Sequence, residues 1–362
     1  MSLLNDNIPE VGSKVSNDGW IGMLMRQVTV RVSGFVLRLK TGRMADTKAG
    51  PAIVAARKQE MDMYRFICWF FVMTITATLA ADEAVSSPKT VENRAANSFT
   101  VWQLPNQAPA QMMSYVIRAR SGKLIVIDGG RDSDAGYLKN FIKERGGSVE
   151  AWFITHPHND HIGAVTSILL NPEGLVPGKL YAALPDAGWM KETGESDGSY
   201  EALMAALDKT GTAIEPLTLG ETFNFDDVHV KVLGVNNPEI RANAINNSSV
   251  VLRFHDAHKS VLFLADLGLE GGRKLLEGSM ADDLPSDYVQ MAHHGQNGVG
   301  EEVYQKINPR YCLWPTPKWL WDNDSGTGKG SGPWKTLEVR EWMDRLQVKK
   351  HYLLFEGLQT IE

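Results

Sequence analysis

Three histidines and an aspartate stand within six residues in the segment THPHNDHIG: His156, His158, Asp160 and His161. Imidazole and carboxylate side chains crowded on one short segment suit zinc and similar divalent ions, and leave a coordination position for water. The whole chain holds nine histidines, so three in six residues fits chance poorly. Four such side chains at the end of an apolar strand cannot all face one way, which predicts a tight loop turned at Pro157 and Gly163. A second cluster, MAHHGQNG, brings His293 and His294 after another apolar segment and again ends in Gly. Between the two, SVLFLADLG delivers Asp266 at a strand end. An aspartate there is ordinarily a turn residue, and it gains weight from the histidines on either side. A divalent cation held by such side chains lowers the pKa of its bound water toward neutrality.

HPHNDHIG resembles the HxHxDH signature of the metallo-β-lactamase superfamily, and the surrounding pieces fall in that family's order: VIDGG upstream, an Asp after the FLAD strand, then HHG. The likeness covers roughly residues 99–362. It implies an α/β fold of the αββα sandwich type, two mixed β-sheets flanked by helices. Carried over, it implies one metal held by His156 and His158, a second by Asp160, His161 and His294, and Asp266 bridging both. Of the late pair, His294 stands immediately before Gly and matches the family's ligand position. His293 is left to support the ligands or touch the substrate, and with Asp160, which would also orient the attacking water, it is the candidate catalytic residue. Asp128 would steady the metal loop from behind, or serve as a strand-end turn residue. The implied cofactor is one or two Zn2+, with Mn2+ or Fe as alternatives. The HHG ending and the NNSSVVL segment are more similar to the branch of ComEC-type competence domains and phosphorylcholine esterases than to the antibiotic-hydrolysing branch.

One departure from the family bears on the metal count. Many members place a third histidine on the first metal, between HxHxDH and the bridging Asp. Here that interval offers only His229, His255 and His258, all in or beside apparent strands, while Asn246, Asn247 and Ser248 occupy the expected position. An amide is a weaker zinc ligand than imidazole, which favours a looser first site or another metal. His229, His255, His258 and His351 read as structural or surface residues. A second unusual stretch, Trp314 to Lys335, carries Trp314, Trp319, Trp321 and Trp334 with Asp322 and Asp324. It would suit a rim that stacks on substrate or receives a cationic group, or a long loop whose tryptophans fill core. Its GTGKGSG piece lacks the spacing and leading strand of a phosphate-binding loop.

The elements that must position these residues alternate from Phe99 onward. SFTVWQL, MMSYVIRAR, KLIVIDGG and AWFITH read as strands, AGYLKNFIKERG as an amphipathic helix closed by Gly146, and IGAVTSILL and SYEALMAALDKTG as further helices. LYAAL, HVKVLGV, SSVVLRFH, SVLFLADL, YVQMAHHG and YCLWPT continue the strands, helices EEVYQKIN and TLEVREWMDRL follow, and HYLLF reads as the final strand. Grouped strands with helices between them predict sheets packed inside helical layers.

Ahead of this lies FICWFFVMTITATLAA, sixteen uncharged residues after Arg65, followed by small residues and a Ser/Pro/Lys stretch. That is the layout of a signal peptide or membrane anchor over 63–81 with a linker over 82–98. A signal some sixty residues in implies that residues 1–62 are a doubtful extension with a mis-assigned start, although VTVRVSGFVLRL within them could be a strand pair. Residues 1–62 carry nine Lys/Arg and six Asp/Glu; of the chain's 37 and 43 this leaves 28 basic and 37 acidic residues, a net charge of −9 on the rest. An acidic domain has no electrostatic footprint for phosphate backbones, so no nucleic-acid partner is expected. Two cysteines, Cys68 and Cys312, exclude a disulfide framework. The sequence therefore predicts an exported, periplasmic or secreted, metal-dependent hydrolase acting on a small-molecule or cell-envelope substrate, with a membrane contact only through the apolar segment. A phosphoester or phosphodiester is the first expectation. A β-lactam or lactone, or a non-catalytic binding module with a degenerate metal site, are the alternatives.

Overall fold

The computed structural model describes residues 24–32, 35–43 and 98–362. They fall in two units, Met1–Ser86 and Ser87–Glu362. In the first, β1 (Leu24–Val32) and β2 (Phe35–Arg43) pair antiparallel from Val32↔Phe35 to Leu24↔Arg43, so the VTVRVSGFVLRL stretch is a strand pair. The apolar run at 66–81, and with it the signal or anchor assigned to 63–81 and the linker up to residue 97, lies outside the described residues. Among the described residues no helix is long and apolar enough to cross a membrane.

The second unit is a four-layer α/β sandwich. Its first half runs β3 (Thr100–Gln103), β4 (Ser114–Arg118), β5 (Leu124–Asp128), α1 (Ala135–Lys143), β6 (Ala151–Ile154), α2 (Asn159–Leu170), β7 (Lys179–Ala182), α3 (Ala187–Thr193), α4 (Ser199–Thr210) and β8 (Ile214–Pro216). The second half runs β9 (Thr222–Phe225), β10 (Val228–Gly234), α5 (Ala244–Asn247), β11 (Val251–His255), β12 (Ser260–Phe263), α6 (Leu269–Glu277), β13 (Tyr288–Gln290), α7 (Glu301–Ile307), β14 (Tyr311–Trp314), α8 (Lys318–Trp321), α9 (Thr336–Arg345) and β15 (Lys350–Leu353). A last short strand, β16 (Gln359–Ile361), returns to the first sheet and pairs antiparallel with β3. The sheets are therefore β16-β3-β4-β5-β6-β7-β8 and β9-β10-β11-β12-β13-β14-β15. Each is antiparallel over its first four strands and parallel over the rest. The switch falls between β5 and β6 in one sheet and between β12 and β13 in the other.

Side-chain alternation explains why strands such as LIVID and AWFI read as unbroken apolar runs. In β5, Ile125 and Ile127 face the other sheet, where they join Phe153, Phe225, Phe254 and Phe263. Leu124 and Val126 face the opposite way and pack with Trp152, Ile154 and apolar residues of α1, α2 and α4. Both faces are dry, so neither can carry a polar stripe. The second sheet is built likewise, with Leu262, Val289, Cys312 and Trp314 packed outward on α6, α7 and α9. Phe153 anchors the middle of the sandwich, its ring 5.2 Å from Tyr181, 5.4 Å from Phe223 and 6.0 Å from Phe254.

Two expectations about the elements change. Helix α2 begins at Asn159, so Asp160 and His161 lie in its first turn and only His156 to His158 form the loop. HYLLF is not the end of the sheets: β16 follows it, three residues of mixed polarity too short to give a period.

One buried charge makes folding pH-dependent. Lys259 is buried at the β11–β12 turn, where its Nζ donates to the Phe99 carbonyl and sits over the Phe99 ring at 4.6 Å. Burial outweighs the nearby Asp256, Glu362 and Asp227 carboxylates and pulls its pKa down to about 8. The folded state thus prefers the neutral amine, and this group's contribution to stability is lost as pH falls through 8 and is complete only above the unfolded lysine value. From pH 7 to pH 9.5 the wild type should gain about 2 kcal/mol relative to Lys259→Met, read as the difference of their urea-unfolding free energies at each pH. A pH-independent difference would mean that the ammonium is solvated.

Candidate metal centre

Two parallel-strand ends per sheet converge on one place. β5 ends in Asp128 and β6 leads into His156–His161; β12 leads into Asp266 and β13 into His293–His294. The backbone pays for this convergence in left-handed residues: φ is +54° at Asp128, +48° at Ala265, +50° at His293 and +56° at His294. None is glycine, and strain of this kind, about 1 kcal/mol or more per residue, collects at functional sites.

Local sequence fixes each turn. Gly163 on α2 has no Cβ because one would come 2.5 Å from the Asp132 amide nitrogen; the helix lies directly on the Arg131–Asp132 backbone. The first turn of α2 is tied there by Met113 N–H to the Asp160 carbonyl (3.0 Å) and Ala164 N–H to the Gly130 carbonyl (2.9 Å). Gly163 was expected to turn the loop, and its role is this close approach instead. Gly295, at φ +75°, rests on Trp314, whose ring would lie 2.4 Å from an added Cβ. Thr316 Oγ1 donates to the His294 carbonyl at 2.6 Å, and Gln290 Nε2 donates to the Ala265 carbonyl at 3.1 Å, joining the ends of β12 and β13.

Five of the six expected ligands meet in two groups. His156, His161 and Asp266 form one group, and Asp160, His161 and His294 another, in each of which the ligand atoms lie within 4.8 Å of one another. His161 Nε2 is 3.3 Å from Asp266 Oδ1; His294 Nε2 is 3.3 Å from Asp266 Oδ2 and 3.2 Å from Asp160 Oδ2. His156 Nε2 is 3.9 Å from Asp266 Oδ2. His158 belongs to neither group; its Nδ1 stands 3.1 Å from His156 Nε2 at the partly buried edge. His161 Nε2, His294 Nε2 and Asp266 Oδ1 are buried and make no hydrogen bond, which is costly unless another partner takes them. A His/Asp set with its inward atoms orphaned fits a divalent cation.

Outward atoms of the same histidines are held. His161 Nδ1–H donates to Asp128 Oδ2 at 2.7 Å and His294 Nδ1–H to the Pro315 carbonyl at 2.9 Å, which leaves both Nε2 lone pairs for the centre. His156 Nδ1 has Thr155 Oγ1 at 3.2 Å and Ser249 Oγ at 3.4 Å. Asp128 also accepts from Thr155 N–H (2.8 Å) and Thr155 Oγ1 (2.7 Å), and its carbonyl accepts from Trp152 Nε1 (2.6 Å). It steadies the loop from behind.

Charges inside this pocket balance one another. Burial opposes an imidazolium at His161 and at His294, but Asp266 with Asp128, and Asp266 with Asp160, more than offset it, so His161 is held well above its usual value and His294 at about 9. Burial also opposes the two carboxylates, yet His294 and His161 pull Asp160 and Asp266 below the usual range. His156 is driven well below its ordinary value by burial and then by His161. Protons on His161 and His294 stand where cations would, and a metal must displace them.

The remaining residues sort as follows. His293 is partly buried, with Nδ1 3.3 Å from the Asn297 carbonyl and Nε2 3.4 Å from Asn246 Nδ2 and 3.9 Å from Asp266 Oδ2. Burial lowers its pKa. Asn246 Oδ1 is buried and unbonded, whereas Asn247 is taken up in structure, accepting from Gly271 N–H at 2.9 Å. It is Ser249, not Ser248, that reaches the centre, accepting from Asp266 N–H at 3.2 Å. His229 and His255 face each other across β10 and β11, and His351 accepts from Trp314 Nε1. The tryptophans divide: Trp314 and Trp321 pack edge to face at 5.0 Å in the helical layer, while Trp319 and Trp334 make a partly exposed pair at 4.9 Å. Asp322 is paired with Lys318 and Lys329, and Asp324 Oδ1 accepts from the Gly326 and Gly328 amides. Thr155, Ser249 and Arg131 are contributors the sequence did not single out; Thr155 and Ser249 flank motif residues, but nothing in their types marks them.

The profile described as Metallo-beta-lactamase superfamily matches residues 109–302. Among solved structures, the chain is similar to the metallo-beta-lactamase fold protein YhfI from Bacillus subtilis, at 12% identity over 73% of this chain and 99% of that one, with a TM-score of 0.46. A diphosphatase from the PhnP family aligns at 13% identity over 73% and 97%, TM-score 0.41. CmlA, a diiron beta-hydroxylase from Streptomyces venezuelae, aligns at 15% identity over 74% and 54%, TM-score 0.46. No curated protein matches the chain.

Asp128 is the part whose loss should be most visible without any metal. Asp128→Ala strands Thr155 N–H, Thr155 Oγ1–H and His161 Nδ1–H in the interior and should cost about 3 kcal/mol or more in urea unfolding of chelator-treated protein. A loss below about 1 kcal/mol would mean other contacts hold the loop.

Proposed function

The chain belongs to the metallo-β-lactamase superfamily, and on that premise we propose that it is a hydrolase dependent on divalent metal that cleaves a phosphoester or phosphodiester. The observation that carries the hydrolase reading is the pair of ligand groups, His156–His161–Asp266 and Asp160–His161–His294, with the inward atoms His161 Nε2, His294 Nε2 and Asp266 Oδ1 unbonded. The phosphoester preference rests on the HHG ending and the NNSSVVL segment, which resemble the ComEC-type and phosphorylcholine esterase branch. His156 and His158 would hold one cation, Asp160, His161 and His294 the other, with Asp266 facing both; zinc suits these ligands, with manganese or iron as alternatives. Bound there, such ions supply an ionised water at neutral pH and a Lewis acid for the phosphoryl oxygens.

The chain's own groups do the rest. Asp160 Oδ2, 3.2 Å from His294 Nε2, would accept a hydrogen bond from a water at the centre and so orient it. His293, with Nδ1–H turned to the Asn297 carbonyl and Nε2 toward Asn246 Nδ2, is the more exposed of the two late histidines and would contact the substrate. The αL backbone of His293 and His294 turns their rings apart, centroids 6.2 Å, so one serves the centre and the other the substrate. The apolar segment at 66–81 supports export, with the domain acting outside the cytoplasm on a small-molecule or cell-envelope substrate.

Elemental mass spectrometry of the full chain purified without chelator should find about two divalent ions per chain, reduced in His158→Ala. Bis(p-nitrophenyl) phosphate should be hydrolysed faster than a chromogenic cephalosporin, and chelation should abolish turnover. No bound metal after reconstitution with Zn2+ and Mn2+ leaves the binding-module reading; the reverse substrate order leaves the β-lactam or lactone reading. His293→Ala should keep its metal and lose about 100-fold in kcat; loss of metal would make His293 a ligand instead.

A further inference from the structure

Arg131 lies next to the candidate metal centre in a position that no ligand role explains. Its backbone N–H donates to Asp134 Oδ2 at 2.9 Å, its Nε–H to the Gln111 carbonyl at 2.9 Å and Nη1 to Asn159 Oδ1 at 3.3 Å. The bare face of Gly163 lets α2 press on the Arg131–Asp132 backbone and so sets where this side chain starts. Two bonds, to Gln111 and Asn159, thus fix the guanidinium, and Asp134 and Gly163 fix the backbone it starts from. Its Nη2 edge faces Asp160 Oδ2 at 3.7 Å, too long for a hydrogen bond, and that same oxygen is 3.2 Å from His294 Nε2. The cation therefore stands one carboxylate away from the ligand groups, with a third of its side chain exposed.

Two of the five guanidinium N–H donors are used by these contacts, and the Nη2 edge keeps its donors free. Loop anchoring alone would need only the Nε–H bond to Gln111. Two divalent ions would outweigh the carboxylates of Asp128, Asp160 and Asp266, and the permanent charge of Arg131 would add to that positive balance beside Asp160. A planar fork of free donors beside a cationic centre matches an oxyanion with two exposed oxygens.

We propose that Arg131 is the specificity residue that reads the negative charge of the substrate, receiving a non-bridging phosphoryl oxygen on Nη2 while the rest of the group lies at the centre. This rests on the phosphoester reading and narrows it to substrates that carry at least one ionised phosphoryl oxygen; neutral esters and lactones gain nothing from the residue.

Inorganic phosphate binding to the metal-loaded full chain, followed by isothermal titration calorimetry, tests it without turnover. Arg131→Met should weaken phosphate binding at least tenfold at unchanged metal content, Arg131→Lys should recover part of it, and KM for bis(p-nitrophenyl) phosphate should rise in the same order while p-nitrophenyl acetate turnover stays level. Phosphate binding and phosphodiester turnover that are equal in wild type and Arg131→Met would overturn the assignment and leave the phosphoesterase reading standing. A wild type that binds no phosphate and prefers the neutral ester overturns both. Loss of metal in Arg131→Met would assign the residue to the ligand loop and overturn the specificity role.

Discussion

The hydrogen bond between Asp128 and His161, 2.7 Å long and shut off from solvent, is the contact on which the site depends. It sets the tautomer of the one imidazole shared by both ligand groups, and the same carboxylate receives Thr155, the residue that begins the histidine loop. A buried carboxylate tolerates this position only because several donors surround it. Trp152 closes the arrangement from below by donating to the Asp128 carbonyl, so strands β5 and β6 are joined at their ends by side chains as well as by their ladder.

The second sheet repeats the arrangement with different residues. Its antiparallel-to-parallel switch again places an aspartate after one strand and histidines after the next, with a left-handed residue, Ala265, ahead of Asp266 where Asp128 itself occupies that conformation. Gln290 ties the two strand ends there much as Thr155 and Trp152 do in the first. The centre is the seam of two similar half-structures, and each half alone carries an incomplete ligand set.

Much of this was legible from the chain itself. Strands buried on both faces announce themselves as apolar runs, and HPHNDH and HHG are dense enough in ligand types to be found without any fold. What escaped detection was short or chemically unmarked. β16 is three residues long; Thr155 and Ser249 are small hydroxyls like many others; Arg131 matters only because Gly163 lets a helix settle against it. The long Trp-rich stretch divides in a way its composition does not show: Asp322 is paired with its own lysines, and Trp314 and Trp321 pack in the helical layer while Trp319 and Trp334 are partly exposed. Composition can count such groups but cannot tell which partner has already taken them.

The return of β16 to the first sheet has a consequence for biosynthesis. The histidine loop at 156–161 sits in a sheet whose far edge, β3, gains its last partner only from residues 359–361. A ribosome delivers the chain from its N-terminus, so until residues 359–361 have emerged the edge of β3 lacks that partner and presents unpaired amides and carbonyls. Closure of this edge must wait for β16, so the first sheet is completed by a contact of long sequence separation. The sheet that carries the histidine segment is thus closed by residues far along the chain from that segment.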